Sequence, residues 1–290
     1  MERKQIVNKL NDLDEESAKI RREQEIADWL QSYAEKDRVV KINEILEELE
    51  KDKNRERYRA FAGIQSLDEI VGGFREGQLI VVSAETGQGK TTFCQTLTKN
   101  FYAKEINCLW FTYEVGIEEF IEKFEGQVPV FYVPRELRQN KMSWIETRIK
   151  EAIVKFDCKI VFIDHLHYLL EMQRMAEAKS ISLLVGMMMR ELKRITIENN
   201  VIIFLVSHMR KIDSEQMPEI DDLRDSSFVG QEADLVMFLK RRKVKNEEGQ
   251  MIETNEAILR VAKNRRTGKL GYIKLIFSDN KFKELNNYEM

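Results

Sequence analysis

Ser83–Phe93, SAETGQGKTTF, decides how the rest of the chain is read. It follows the apolar run Leu79–Val82 and leads into helix-compatible sequence from Thr91 to Lys104. Strand, glycine-bearing turn and helix form the setting that a phosphate-binding loop requires. Gly87 and Gly89 can take backbone angles that turn amide N–H groups toward β- and γ-phosphates. The start of the helix adds the positive end of its dipole. Lys90 supplies a point charge, and the Thr91 hydroxyl is placed to ligate a Mg2+ bridging those phosphates. Ala84, Glu85, Thr86, Gly87, Gln88, Gly89, Lys90, Thr91 and Thr92 are therefore the expected nucleotide-binding residues. One departure stands out, because Ala84 occupies the first glycine position of the general pattern G-x-x-x-x-G-K-[ST].

Composition bounds what surrounds this loop. At 290 residues the chain holds one large domain or two small ones, and 43% hydrophobic content is enough to fill a core. A net charge of −3 argues against a protein that coats nucleic acid with its whole surface, though not against a local basic channel. Cys94, Cys108 and Cys158 are widely spaced and form no C-x-x-C pair, so buried reduced thiols are expected rather than a zinc ribbon or a disulfide framework. The N-terminus has no apolar signal core, and the longest apolar runs, such as Val201–Val206, are far below membrane-spanning length. A soluble intracellular protein is expected.

Residues 1–58 contain no glycine or proline and are dense in Glu, Lys and Arg. Apolar residues recur there at helical spacing: Ile6, Leu10 and Leu13; Ile26, Trp29, Leu30 and Tyr33; Val39, Ile42, Ile45, Leu46 and Leu49. The pattern predicts a helical arm, packed on the next domain or on a neighbouring subunit, with Lys51–Arg59 as linker. From Ala60 onward apolar strand-like runs recur at Leu79–Val82, Cys108–Phe111, Val130–Val133, Ile160–Ile163, Val201–Val206, Leu235–Leu239, Ala257–Val261 and Tyr272–Phe277. Helical patterns lie between several of them, notably Ser143–Lys155 and Ile181–Asn199. Such alternation predicts an α/β fold, a mostly parallel sheet covered on both faces, with an antiparallel edge formed by the late strands.

Ligands in parallel α/β sheets sit at the carboxyl ends of strands. That rule picks out Glu114, Asp164 and His208, each just after an apolar run. Asp164 reads as a Walker B carboxylate for Mg2+, Glu114 as the group orienting the attacking water, and His208 as a γ-phosphate sensor. A metal site from His165, His167 and His208 is considered and set aside, because the phosphate loop already explains their location. Two basic clusters remain. Lys240–Lys245 reads as a solvated hairpin end, with nucleic-acid contact as the alternative. Val261–Lys269 carries cations that can serve as an arginine finger, in cis or across a subunit boundary, and the residues alone leave that open.

Together these segments resemble the motor domain of the DnaB family of hexameric replicative helicases, from Gly63 to Phe277. The resemblance is carried by the lead-in Ile64–Phe74, by Thr112–Glu114, by Ile163–Tyr168 and, most specifically, by Asp222–Leu239 (DLRDSSFVGQEADLVMFL). That family tolerates alanine at the position of Ala84. The resemblance implies a RecA-like core preceded by the helical arm (residues 1–58), with the ATPase at 59–290. It also implies ATP and Mg2+ as ligands, with Thr91 and Asp164 as metal residues. Arg224, Asp225 and Ser227 would lie on single-stranded DNA, together with Arg210 and Lys211, and Gln231 would link DNA to nucleotide. Ala262–Arg265 resembles the trans-acting pair, making Lys263 the auxiliary cation and Arg265 the finger. Three features depart from the bacterial pattern. His167 and His208 replace glutamine, the latter as in phage primase-helicases and the Twinkle group, and Ser227 stands where glycine is common. The family's N-terminal domain is not recognised in the first 58 residues.

The implied activity is ATP-driven translocation on single-stranded DNA by a homo-oligomeric ring that separates a forked duplex during replication. Primase or other replisome proteins are the implied partners, without a membrane. The implied setting is the cytoplasm of a bacterium, or of one hosting a phage or mobile element. Two alternatives compete: a recombination or repair ATPase that forms filaments, and a non-motor regulatory or loader ATPase.

Overall fold

The computed structural model describes residues 39–51, 58–124, 126–137, 142–166, 181–210, 212, 216–223, 226–245 and 251–285. The chain divides into two units, Met1–Glu56 and Arg57–Met290. In the first, the described residues form α1 (Ile42–Lys51), whose Ile42, Ile45 and Leu46 are exposed. The two earlier apolar series of the arm lie outside the described residues.

The second unit is built on an eight-stranded sheet. In chain order its elements are β1 (Arg59–Ala60), α2 (Gln65–Val71), β2 (Phe74–Arg75), β3 (Leu79–Ala84), α3 (Lys90–Tyr102), β4 (Cys108–Thr112) and α4 (Ile117–Glu122). There follow α5 (Met142–Phe156), β5 (Ile160–Asp164), α6 (Ile181–Glu198), β6 (Ile202–His208), a short 3₁₀ turn (Ile220–Asp222) and α7 (Ser226–Glu232). Four strands close the unit: β7 (Leu235–Lys245), β8 (Met251–Asn264), β9 (Gly271–Ser278) and β10 (Lys281–Glu284). The sheet order is β10-β9-β8-β7-β3-β6-β5-β4, and β1 pairs with β2 separately. Strands β7, β3, β6, β5 and β4 run parallel, whereas β8, β9 and β10 are added antiparallel.

Period-two alternation explains why the central runs are apolar throughout. Ile160 and Phe162 of β5 face one layer with Ile80, Val82, Trp110 and Phe204, and Val161 and Ile163 face the other with Val81, Phe111 and Leu205. Helix α3 covers the first layer through Phe93, Leu97 and Phe101. Helices α5 and α6 cover the second through Ile145, Ile149, Val185, Met189 and Leu192, at helical spacing. Trp110, Phe162 and Phe204 stack across three strands, with centroids 4.4 and 4.9 Å apart, and the Trp110 indole N–H donates to Thr98 Oγ1 at 3.0 Å. All three cysteines are free and buried, and burial pushes their thiols up.

One expected strand does not form. Val130–Val133 contributes only an isolated bridge between Tyr132 and Leu109, with the Trp110 amide donating to Tyr132 O at 2.8 Å. Pro129 and Pro134 flank this segment and have no N–H to extend a ladder. The hairpin β7–β8 is also longer than its apolar pattern suggests. Its outer half, including Lys240–Lys245, is held by cross-strand pairs such as Arg242–Glu256 at 2.8 Å and Lys243–Glu253 at 3.6 Å. Among the described residues, no helix is long and apolar enough to cross a membrane.

Candidate active site

The loop after β3 is shaped by two residues in the left-handed region, Gly87 at φ 83° and Gly89 at φ 90°. Gly89 is also the N-cap residue of α3 and offers no side-chain cap, so the first amides of the helix point into the loop. Lys90 is buried, and its ammonium donates to Ala84 O (3.2 Å) and Glu85 O (3.0 Å). Burial lowers its pKa, while Glu114 and Asp164 oppose that shift. Other loop side chains turn outward. Gln88 binds the β7–β8 hairpin, donating to Glu253 Oε1 and accepting from the Arg241 amide, both at 2.7 Å. Glu85 accepts from the Ile212 amide at 3.0 Å. Glu85 and Gln88 thus offer the loop concavity their backbone rather than their side chains.

Parallel register sets the remaining groups beside the loop. Thr112 pairs with Asp164, which pairs in turn with Val206, so β4 and β5 end at one level, while β6 and β3 run two residues further to the pair His208 and Ala84. Thr91 Oγ1 donates to Asp164 Oδ2 at 2.7 Å. Asp164 is 2% exposed, and its Oδ1 finds no hydrogen-bond partner among the described residues. Burial lifts its pKa from 3.8 to about 6, the Thr91 hydrogen bond working against that rise. A hydroxyl and a carboxylate with an orphaned buried oxygen, next to a phosphate-type loop, are hard oxygen donors that fit Mg2+. The Asp164 carbonyl accepts from the amides of Tyr113 (2.7 Å) and Glu114 (3.2 Å), anchoring Glu114 to the same spot. His165, which the sequence reading gave no role, lies between them. Its Nε2 is 3.9 Å from Glu114 Oε2, and its ring meets that of His208 edge-on at 4.3 Å.

Lys263 and Arg265 are elsewhere. Asn264 pairs with Leu235 at the start of β7, and Leu235 pairs with Ile80 near the start of β3. From that level to the loop is about 16 Å of strand, beyond the reach of either side chain. Arg265 is held by Asp234 Oδ1 (3.2 Å) and Gln231 O (2.5 Å), and Lys263 by Gly230 O (2.6 Å) and Gln231 O (3.0 Å). Burial, and then Arg265, lower the Lys263 pKa against the pull of Asp234 and Glu232. Asp234 itself is buried and also binds Lys193 (2.6 Å) and the Leu79 amide (2.8 Å), a hub that the sequence reading missed.

Of the expected DNA residues, Lys211, Arg224 and Asp225 lie outside the described residues, as does His167. Ser227 and Gln231 belong to α7. Arg210 is exposed and its amide donates to Asp222 O at 2.8 Å, so the end of β6 abuts the segment that leads to Arg224.

A family model, DnaB-like helicase C terminal domain, matches residues 61–129 and 127–286. The chain is 25% identical over 257 residues to a probable replicative DNA helicase of Trieres chinensis, covering 76% of this chain and 55% of that protein. It is 26% identical over 261 residues to the replicative DNA helicase DnaB of Mycoplasma pneumoniae, covering 74% and 54%. The chain thus spans about half the length of these relatives. Among solved structures, one of an isolated ATPase domain superposes with a TM-score of 0.69 at 20% identity, over 86% of this chain and all of that one. A DnaB-like replicative helicase studied for its interactions with primase gives 0.66 at 20%, over 86% and 68%. These likenesses bear out the RecA-like fold.

Proposed function

We propose that this chain, which belongs to the family of DnaB-like helicase C-terminal domains, is an ATP-hydrolysing DNA helicase motor. It works as a homo-oligomeric ring that translocates on single-stranded DNA and opens a forked duplex in the cytoplasm. The observation that carries the reading is the separation of the phosphate loop and its carboxylates from the pair Lys263 and Arg265, which lie at opposite ends of the sheet. The carboxylates, Lys90 and the glycine loop share one end, whereas Lys263 and Arg265 emerge at the other.

Mg2+ bound by Thr91 and Asp164 would neutralise charge on the β- and γ-phosphates. Lys90 and the α3 amides bind the phosphates, and Glu114 orients the attacking water and accepts its proton. His208, on the strand beside the loop, registers whether the γ-phosphate is present. Arg265, assisted by Lys263, completes the site of a neighbouring copy, since about 16 Å of strand separates it from its own loop. The segment around Arg210, Arg224, Asp225, Ser227 and Gln231 holds DNA through its phosphates, hence without sequence preference and with strong salt dependence. Primase is the proposed replisome partner, by likeness to the solved helicase whose primase interactions were studied.

The test is ATP hydrolysis with and without single-stranded DNA, run beside unwinding of a forked duplex. DNA-stimulated hydrolysis that Lys90→Ala abolishes is expected. Hydrolysis indifferent to DNA sinks the motor reading and returns the chain to the regulatory class.

A further inference from the structure

Three neighbouring parallel strands, β4, β5 and β6, deliver Glu114, His165 and His208 to one spot. One ligand atom from each side chain lies within 4.8 Å of the other two. His165 is buried, His208 half-buried and Glu114 exposed. Two imidazoles and a carboxylate are the donor set of zinc-type ions, leaving a further position open. Mg2+ prefers oxygen donors and retains its waters, so it selects the adjacent Thr91–Asp164 pair instead. Donors at about 2.0–2.1 Å from a tetrahedral ion stand about 3.4 Å apart. The trio must therefore contract by roughly an ångström. The exposed Glu114 side chain, anchored through its backbone amide, can supply that movement.

We infer that Glu114, His165 and His208 form a second cation site, selective for Zn2+ and similar transition ions, whose occupancy arrests ATP hydrolysis. Arrest follows from the chemistry of the ligand. A carboxylate bound to the ion no longer accepts a proton from water, while none of the phosphate-loop residues is among the ion's ligands, so a nucleoside diphosphate still binds. The arrest rests on the function proposed above; the binding does not.

The full chain, stripped of metal and free of nucleotide, is titrated with Co2+ in a background of excess Mg2+ that fills the oxygen site. One Co2+ per chain is expected, with visible ligand-field bands and no near-ultraviolet thiolate band, which excludes Cys94, Cys108 and Cys158. Glu114→Gln, His165→Gln and His208→Gln should each weaken binding about tenfold or more. The exposed Glu114→Gln variant serves as the one least able to disturb folding, and circular dichroism checks all three. Zn2+ should then inhibit hydrolysis with the midpoint at which it binds, and a chelator should restore it, while a fluorescent nucleoside diphosphate, which has no γ-phosphate for His208 to meet, still binds. Absence of bound Co2+, or equal affinity in Glu114→Gln and the parent chain, overturns the site. Stoichiometric Zn2+ without inhibition overturns the arrest. A chain without DNA-stimulated hydrolysis fails the motor reading alone, because the Co2+ titration still decides the site.

Discussion

Replacing Asp164 by asparagine should stabilise the metal-free protein, and by an amount that depends on pH. The carboxyl is 2% exposed, and its pKa rises from 3.8 to about 6, mainly through burial. The native state therefore binds this proton more tightly than the unfolded chain does, and ionising the group costs stability. That cost is absent well below pH 4, develops as pH rises through the window between 4 and 6, and is complete above it. A rise from 3.8 to about 6, at about 1.36 kcal/mol per pH unit, comes to roughly 3 kcal/mol, of which about half has developed by pH 5. Asp164→Asn cannot ionise. The difference in unfolding free energy, variant minus parent, should be small at pH 4 and reach roughly 3 kcal/mol in the variant's favour at pH 7. Carboxylates common to both chains cancel, among them Glu146, which Arg194 and Lys150 hold down to about 2. Urea unfolding in chelator, followed by fluorescence of the buried Trp110, measures the difference across pH 4 to 7. Adding Mg2+ and ATP at pH 7 should reverse the order, since the ionised carboxylate is the form that ligates the cation. A difference that stays flat with pH refutes the burial argument.

Three further outcomes are expected. Arg265→Ala should still bind nucleotide yet lose hydrolysis by about a thousandfold or more. Mixing it with Lys90→Ala chains should recover part of the rate, because a mixed interface pairs an intact loop with an intact finger. Phosphate release from mixtures checks this, and no recovery at any ratio argues against action in trans. Asp234→Ala should cost about 3 kcal/mol of stability, because it strands the Leu79 amide and one bond each of Lys193 and Arg265. A urea-unfolding loss below about 1 kcal/mol would show the hub to be dispensable. Gly87→Ala and Gly89→Ala should each lose about 1–2 kcal/mol to the positive φ alone. At Gly89 the new Cβ also stands 3.3 Å from Phe282, so its melting temperature should be the lower, whereas Gly87 has open space.

The sheet and the loop were legible because both depend on local pattern. Each parallel strand announced itself as a short run buried on both faces, and the residue after it was a candidate by position alone. This is why Glu114, Asp164 and His208 could be named beforehand, and why the structure finds them at adjacent strand ends. Val130–Val133 misled because its apolar residues satisfy the strand pattern, while two flanking prolines withhold the donors that a ladder needs. Asp234 was illegible for a different reason. Its partners, Leu79, Lys193 and Arg265, lie 155, 41 and 31 residues away, and no spacing rule relates them. His165 was visible as a residue, but its pairing with Glu114 depends on β4–β5 register, which composition does not encode.

Asp234 also bears on how the two ends of the sheet communicate. Its carboxylate binds the amide that begins β3, and five residues further on that strand becomes the phosphate loop. The same carboxylate binds Arg265, and the Asp234 carbonyl accepts from the Arg265 amide at 2.8 Å. Arg265 and Lys263 in turn bind carbonyls of Gly230 and Gln231 in the last turn of α7, the negative end of that helix. Under the proposed function, the residues that meet DNA precede and open α7. A displacement of α7 by a bound strand would then move the carbonyls that hold both cations. Asp234 ties Arg265, though not Lys263, to the base of β3, so on that function the displacement would be shared by the finger offered to one neighbour and by the strand that carries this subunit's own loop. On that function these hydrogen bonds link DNA contact to hydrolysis, and a chain lacking the Asp234 carboxylate should bind DNA and nucleotide separately while its ATP hydrolysis loses stimulation by single-stranded DNA.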